Sequence, residues 1–275
     1  MDPLLLKSLK GCLSGSLENR VDESLEYLFG GLTLYQQVQG LFTEVMPDMI
    51  YHDSFPFSIS DVMQGVLDQE LDLKTMKYGS ILTGDAIYYH PDGRIKLVHD
   101  DKFLRTVDEE YELYEGGFVV QEELFEESEG QTYLNGCVNF FLNRLQSKRE
   151  ADENPALFFL SRNSKLLRKF NEDAFAQTKG KKSMGFLVHS PPKVPIVRPL
   201  SIHNNYGDVY LKGDYHADLS ANMINVNPSV IEIIAKLTLN SKYDSFCRRR
   251  IDFQEYQEGV REYFKKYTQF KRFLR

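Results

Sequence analysis

Two short apolar runs on either side of a turn sequence constrain the fold of this chain more than any other pattern. The runs are residues 86–89 and 95–98, and Pro91, Asp92 and Gly93 stand between them. Proline and glycine favour the backbone angles of a tight turn, and short apolar runs that flank such a turn indicate strands. The sequence therefore predicts a β-hairpin at this position.

The remaining apolar patterns are mainly helical. Apolar residues recur at every third or fourth position in six parts of the chain, which is the spacing of one face of an α-helix. Ser58 and Asp61 add the capping-box signal of a helix start. The predicted helices cover residues 17–28, 34–45, 59–67, 134–145, 228–237 and 252–267.

Two long segments lack a helical or strand period. Residues 100–130 contain twelve Asp or Glu against one Lys and one Arg, a density that favours an exposed or mobile loop. Residues 149–226 have poor periodicity and include four prolines within nine positions. This pattern predicts a long irregular excursion from the fold.

The composition excludes several classes of protein. A net charge of −7 argues against a general nucleic-acid binder, because phosphate contacts need a surplus of Lys and Arg. Cys12, Cys137 and Cys247 are odd in number and far apart, which supports neither a disulfide framework nor a zinc site. No apolar stretch approaches the length of a membrane span. We therefore expect a soluble, cytoplasmic protein whose partners are proteins.

Four strings of the sequence, taken in chain order, resemble the C-terminal lobe of eukaryotic protein kinases. Residues 78–101 resemble the catalytic loop, two short strands and the metal-binding turn, and the match is best over D-G-R-I-K-L at residues 92–97. Residues 118–124 resemble the end of an activation segment, and residues 131–145 resemble the helix that follows it. Residues 227–255 resemble the penultimate helix and the start of the last one.

The resemblance implies a mainly α fold with a small β-hairpin, organised as a kinase-like C-terminal lobe. This lobe would cover residues 58–275 and carry an irregular insertion at about residues 149–226. Residues 1–57 would form a helical N-terminal segment. No phosphate-covering glycine loop or strand lysine stands in the first 75 residues, so the N-terminal lobe is absent or unrecognisable.

The resemblance also places the residues of a degraded catalytic site. Ser80 stands at the position of the catalytic aspartate, and a hydroxyl cannot accept a proton at neutral pH as a carboxylate can. Asp85 stands at a metal-binding position. His99 stands at the other metal-binding position, and a shift of one residue would bring Asp100 there instead.

Three further residues match scaffold positions of the family. Gly136 lies in the string that resembles the helix after the activation segment. Glu123 and Arg250 match a glutamate and an arginine that pair in the family. The resemblance therefore implies a buried or half-buried ion pair between Glu123 and Arg250.

The functional prediction is a catalytically inactive kinase-like domain that acts as a protein-interaction or regulatory module. It would need no cofactor, and Mg²⁺ and ATP would bind only if residual activity remained. Three alternatives stay open. One is a divergent serine/threonine kinase with residual activity, and the second is a Mg²⁺-dependent nuclease-like enzyme that uses Asp85, Asp100 or Asp101 beside Lys96. The third is a helical adaptor whose basic C-terminal residues contact an acidic partner.

Overall fold

The computed structural model describes residues 35–51, 56–68, 71, 80–134, 144–177, 184–205 and 208–226. The chain divides into two compact units. Nearly all described residues belong to the unit formed by Gln37–Ile50 and Pro56–Ile224. The predicted helices at residues 17–28, 228–237 and 252–267 lie outside the described residues.

Six helices and ten strands are present in the described residues. The helices are α1 (Phe42–Tyr51), α2 (Ile59–Leu67), α3 (Glu122–Glu127), α4 (Lys148–Glu153), α5 (Pro155–Ser161) and α6 (Ser164–Gln177). The strands are β1 (Tyr35–Gly40), β2 (Ser80–Tyr89), β3 (Arg94–Val98), β4 (Leu113–Tyr114), β5 (Gly117–Val119), β6 (Gln131–Leu134), β7 (Met184–Leu187), β8 (Ile196–Asn205), β9 (Asp208–Lys212) and β10 (Ala221–Val226).

The strands form one mixed, branched sheet. Its main path runs β1, β10, β2, β8, β5 and β4, while β3 joins β2 to β6 and β9 joins β8 to β7. The pairs β10–β2 and β7–β9 are parallel, and the pairs made by β8 are antiparallel. Helices α4, α5 and α6 pack on one another, and α5 and α6 also contact α2.

Strand β2 lies at the centre of the buried core. All ten of its residues are buried, and successive side chains of a strand point to opposite faces of the sheet. Both faces of β2 are therefore covered. Its neighbour β8 is similarly buried from Ile196 to Ile202.

The prediction of a mainly α fold with one small hairpin is wrong, because the sheet is the main element of the described residues. The predicted irregular excursion over residues 149–226 instead contains α5, α6 and strands β7 to β10. A strand that is buried on both faces has no alternation of polar and apolar residues, so its period is hidden. Residues 35–40, which their spacing predicts to be helical, form a strand. Residues 131–134, which lie in the string that resembles a kinase helix, also form a strand.

Two local predictions are confirmed. The hairpin forms between β2 and β3, with Tyr89 opposite Ile95 across the predicted turn. Helix α2 begins after Ser58, whose side chain accepts a hydrogen bond from the Asp61 amide while the Asp61 side chain accepts one from Ser58. Within the part of the chain that the structure describes, no helix is long and apolar enough to cross a membrane.

The acidic segment at residues 100–130 is only partly a loop, because it contains α3, β4 and β5. Lys96 of β3 holds the end of α3. Its Nζ donates hydrogen bonds to the carbonyl oxygens of Phe125, Glu126 and Ser128, the last two at 3.1 and 3.2 Å. A cation at the C-terminal end of a helix satisfies carbonyls that have no partner inside the helix.

His90 is a second residue of the hairpin that contacts α3. Its Nε2 lies 2.8 Å from Oε1 of Glu122, and its Nδ1 lies 2.7 Å from Oδ1 of Asp92. Burial lowers the pKa of His90, but the hydrogen bonds with Glu122 and Asp92 outweigh burial, and the net pKa is raised. Folding therefore makes His90 easier to protonate than it is in the unfolded chain.

We expect the stabilisation contributed by His90 to decrease as the pH rises. A group with a raised folded-state pKa contributes fully below its unfolded pKa and loses that contribution as the pH passes through its folded pKa. The free energy of unfolding of the wild type minus that of His90→Gln should therefore be larger at about pH 5.5 than at about pH 8.5. Urea denaturation at both pH values measures this difference.

His203 is the matched control, because burial, followed by the charge of Lys212, lowers its pKa. A histidine with a lowered pKa destabilises the folded state at low pH, and this effect disappears as the pH rises. The free energy of unfolding of the wild type minus that of His203→Gln should therefore increase from low to high pH. If both variants showed the same pH trend, the role assigned to His90 would be wrong.

Candidate functional site

A bulge in β2 shapes the first cluster of charged residues. Leu82 lies opposite Ser201 of β8, whereas Ala86 lies opposite Pro199, so β2 has two more residues than β8 over this interval. Bulges re-aim side chains and are frequent beside functional sites. Here the extra residues bring the Asp85 side chain into contact with the start of α2 and with the loop that follows β3.

Asp85 is completely buried and connects three parts of the chain. Its Oδ2 accepts a hydrogen bond of 2.8 Å from the Ile59 amide, and its Oδ1 accepts one of 3.0 Å from the Asp100 amide. Gly84 reinforces this junction, since its amide donates to the Phe57 carbonyl and its carbonyl accepts from the Asp101 amide. Asp85 is thus a hydrogen-bonding centre of the core.

Partly exposed residues complete what we call the bulge cluster: Asp85, His99, Asp100 and Arg162. His99 stacks on Phe159 at a centroid distance of 4.3 Å, and its Nδ1 lies 3.4 Å from Oδ1 of Asp85. Arg162 Nη2 lies 2.7 Å from Oδ2 of Asp100 and 3.8 Å from Oδ1 of Asp85. Asp100 and Arg162 have φ values of 45° and 57°, a strained region for residues other than glycine.

The bulge cluster brings together Asp85, His99 and Asp100, three residues that the sequence had singled out. Both Asp85 oxygens already accept hydrogen bonds from amides, and Arg162 pairs with Asp100. Over residues 35–226, apart from the gaps in the description, no group of three or more His, Cys, Asp or Glu could hold a metal ion. The metal-binding roles of Asp85 and Asp100 stay predictions.

The pKa of a neighbouring carboxyl group, that of Asp61, is also shifted. Burial raises the pKa of Asp61, and the carboxylate of Asp100 adds to that rise, while the bonds to Ser58 and the charge of Arg162 act in the opposite direction. The net pKa of Asp61 is raised. Ser58 is the N-terminal cap of α2, and Asp61 is the third helical residue, which completes the capping box close to the carboxylate of Asp100.

Ser80 lies at the other end of β2, apart from the bulge cluster. It is buried, and its Oγ lies 3.1 Å from Nδ1 of His203 on the neighbouring strand. Glu123 is exposed in the first turn of α3. Gly136 and Arg250 lie outside the described residues, so the ion pair between Glu123 and Arg250 stays a prediction.

The lysine and the third aspartate of the nuclease alternative do not converge on Asp85. Lys96 Nζ contacts the carbonyl oxygens at the end of α3. Asp101 accepts hydrogen bonds from the Tyr88 hydroxyl at 2.7 Å and from the Leu104 amide at 2.8 Å. Each of these two residues is therefore engaged in the structure of the hairpin.

Comparison with known proteins decides the fold. A solved structure described as "Accommodation of massive sequence variation in Nanoarchaeota by the C-type lectin fold" matches with a TM-score of 0.57 and 12% sequence identity. The match covers 72% of this chain and 99% of the other. The chain resembles a C-type lectin fold. No protein-family model matches the chain, and no curated protein matches it.

The kinase resemblance is therefore wrong. A mixed sheet of the kind seen in the C-type lectin fold replaces the helical C-terminal lobe, and the interpretation as a pseudokinase with a doubtful ATP site conflicts with it. The parts of the matched strings that the structure describes fall on elements of another fold, whereas residues 135–143 and 227–255 lie outside the described residues. The best of them, residues 92–97, forms the turn and β3 of the hairpin.

A second site, which we call the acidic groove, was not identified from the sequence. It has a volume of about 420 Å³ and lies beside β4 and β5. Its lining consists of Asp108, Glu110, Tyr111, Glu112, Val119, Val120 and Gln121. The dense acidic run was visible in the sequence, but only the sheet shows that three of its carboxylates surround one groove.

Proposed function

We propose that this chain is a non-catalytic protein-interaction module that binds a positively charged segment of a partner protein in the acidic groove. The observation that carries the proposal is the lining of the groove, in which Asp108, Glu110 and Glu112 are exposed around Tyr111 and Val120. Complementary charge steers a partner to such a surface and determines which partners it accepts.

The backbone around the groove is held in place before any partner binds. The Val119 amide donates to the Glu112 carbonyl at 2.9 Å, and the Val120 amide donates to the Pro195 carbonyl at 3.1 Å. Strand β5 also pairs with β8. A preformed surface loses little conformational entropy when it binds, which favours affinity.

Tyr111 gives the groove an aromatic element. Its ring packs edge-on against Phe103 at 5.4 Å and against Phe118 at 6.4 Å, so its orientation is set by the core. A cation over an aromatic face adds to the attraction of nearby carboxylates. Lysine or arginine side chains are thus the ligands that this lining suits.

The structural comparison supports the proposal indirectly. The similar protein belongs to a study of how the C-type lectin fold accommodates massive sequence variation. If this chain shares that tolerance of sequence variation, the sequence of residues 108–112 can vary to suit one partner while the buried strands stay unchanged. The proposal requires no cofactor.

We expect removal of the groove charges to weaken the binding of a basic peptide by about tenfold or more, since each exposed charge contributes up to ~1 kcal/mol. The variant is Asp108→Asn/Glu110→Gln/Glu112→Gln. The measurement is fluorescence anisotropy with a labelled peptide of alternating lysine, arginine and glycine. Raising the salt concentration should weaken the wild-type complex, because exposed charges are screened.

The control variant carries the same change in net charge elsewhere: Glu123→Gln/Glu153→Gln/Glu172→Gln, all at exposed positions. It should retain near wild-type affinity. Equal losses of peptide affinity in the two triple variants would mean that the net charge of the chain, and not the acidic groove, determines binding. Absence of binding to the wild type at low salt would contradict the proposal.

A further inference from the structure

Arg198 is the largest of the fully buried side chains in the described residues. It lies in β8 opposite Ile87 of β2, within the core of the sheet. Burial lowers the pKa of Arg198, although Tyr89 and the carboxylates of Asp214, Glu115 and Asp218 act in the opposite direction. A charged side chain in this position needs partners that compensate for the lost water.

The hydrogen bonds of Arg198 are incomplete. Nη2 donates to the carbonyl oxygen of Glu115, but Nε and Nη1 are buried and have no hydrogen-bond partner. Among residues 35–226 as described, no carboxylate of this unit forms an ion pair with it. The ring of Tyr89 lies 5.8 Å from the guanidinium carbon and supplies only a weak attraction.

An unpaired acceptor lies in the same region. Oδ1 of Asp214 is buried and has no hydrogen-bond partner. Asp214 follows Gly213, whose carbonyl accepts a bond of 2.9 Å from the Tyr89 hydroxyl, so the segment after β9 is fastened to the strand beside Arg198. Buried polar groups are rarely left unpaired, so two donors and an acceptor that are free in one region are suited to hold a small polar molecule.

The surroundings of the two residues are rigid. Glu115 and Gly116 have positive φ values of 49° and 74°, which direct the Glu115 carbonyl to Arg198. A Cβ atom at Gly116 would come within 2.3 Å of His216 Cγ, and the Ala217 amide donates to the Gly116 carbonyl at 2.8 Å. The turn therefore contacts the loop after β9 on one side and Arg198 on the other.

We propose that Arg198 and Asp214 bind a small molecule that carries an oxyanion together with a hydrogen-bond donor, as a free amino acid does. The oxyanion accepts hydrogen bonds from Nε and Nη1 of Arg198, and the donor reaches Oδ1 of Asp214. Complete burial of Arg198 restricts the ligand to a small molecule. This site is separate from the acidic groove, and neither proposal depends on the other.

The test is a thermal-shift titration of the full chain with glycine, acetate and phosphate, with sodium chloride at matched ionic strength as the reference. Glycine well above its dissociation constant should raise the melting temperature by about 3 °C, because a ligand that binds only the folded state stabilises it. Acetate, which lacks a donor, should give a smaller shift. Phosphate distinguishes a general oxyanion site from one selective for carboxylates.

Two variants identify the residues. Arg198→Met removes the unpaired charge and should abolish the response to all three probes. Asp214→Asn should reduce the response to glycine more than the response to acetate, and this comparison decides the case if Arg198→Met does not fold. The inference is overturned if the probes stabilise the wild type no more than sodium chloride does. It is also overturned if folded Arg198→Met responds like the wild type.

Discussion

Replacement of Asp85 by alanine should lower the free energy of unfolding by about 3–5 kcal/mol, since removal of one partner from a buried charged network is strongly destabilising. The change leaves the amides of Ile59 and Asp100 without an acceptor. It also removes the carboxylate that faces His99 and Arg162. Denaturation in urea, followed by circular dichroism, measures the loss.

Asp85→Asn keeps one oxygen acceptor, so its free energy of unfolding should fall less than that of the alanine variant. Glu109→Ala is the matched control, because Glu109 is exposed and its replacement should change stability by less than about 0.5 kcal/mol. A loss below about 1 kcal/mol for Asp85→Ala would contradict the structural role. If Asp85 instead binds Mg²⁺, a chelator should destabilise the wild type but leave Asp85→Ala unchanged.

Replacement of Lys96 by methionine should cost about 2–3 kcal/mol, because three carbonyl oxygens at the end of α3 lose their common donor. Methionine retains most of the packing against Phe125, over whose ring the Lys96 ammonium lies at 4.9 Å. The loss should therefore concentrate in α3. Hydrogen exchange of the amides of Leu124 and Phe125 should accelerate more than that of the amides in β8.

Lys102→Met is the control, since Lys102 is exposed and should tolerate the same change. Equal stability losses in the two variants would show that charge, and not the hydrogen bonds of Lys96, is responsible. Unchanged exchange in α3 would contradict the assignment of Lys96 as the residue that holds this helix.

Local signals predicted local structure well. Pro91 and Gly93 determined the hairpin, and Ser58 determined the start of α2. The helices after residue 147 also carried readable signals that the period-based prediction missed. Ser147 forms a capping box with Glu150, and Asn154 caps α5 before a proline at its first turn.

Long-range pairing could not be predicted in the same way. Ile81 of β2 lies opposite Ile202 of β8, and the two are separated by more than a hundred residues. Strand β2 does not alternate in polarity, because it is buried along its whole length. The kinase resemblance failed for a related reason, since a short match to a turn and a strand does not specify which strands pair with them.

The bulge cluster was partly predictable. Ala86 pairs with Val98, so a hairpin around the predicted turn brings the next positions, Asp85 and His99, close together in any fold. The approach of Arg162 depends on α5 and was not visible in the sequence. The acidic groove depends on β4 and β5, which are too short to leave a strand pattern.

The attachment of β5 to β8 has a consequence for engineering. The β4–β5 arm joins the sheet through two residue pairs, Phe118 with Val197 and Val119 with Ile196. The longer pairing between β2 and β8 does not involve this arm. Asp108, Glu109 and Glu110 are exposed and lie outside this pairing, so residues 108–110 can be treated as a replaceable segment. Phe118 and the Glu115 carbonyl, which contact the core and Arg198, must be retained. A library of different lengths and charges at this position would turn the chain into a scaffold for selected binding specificities.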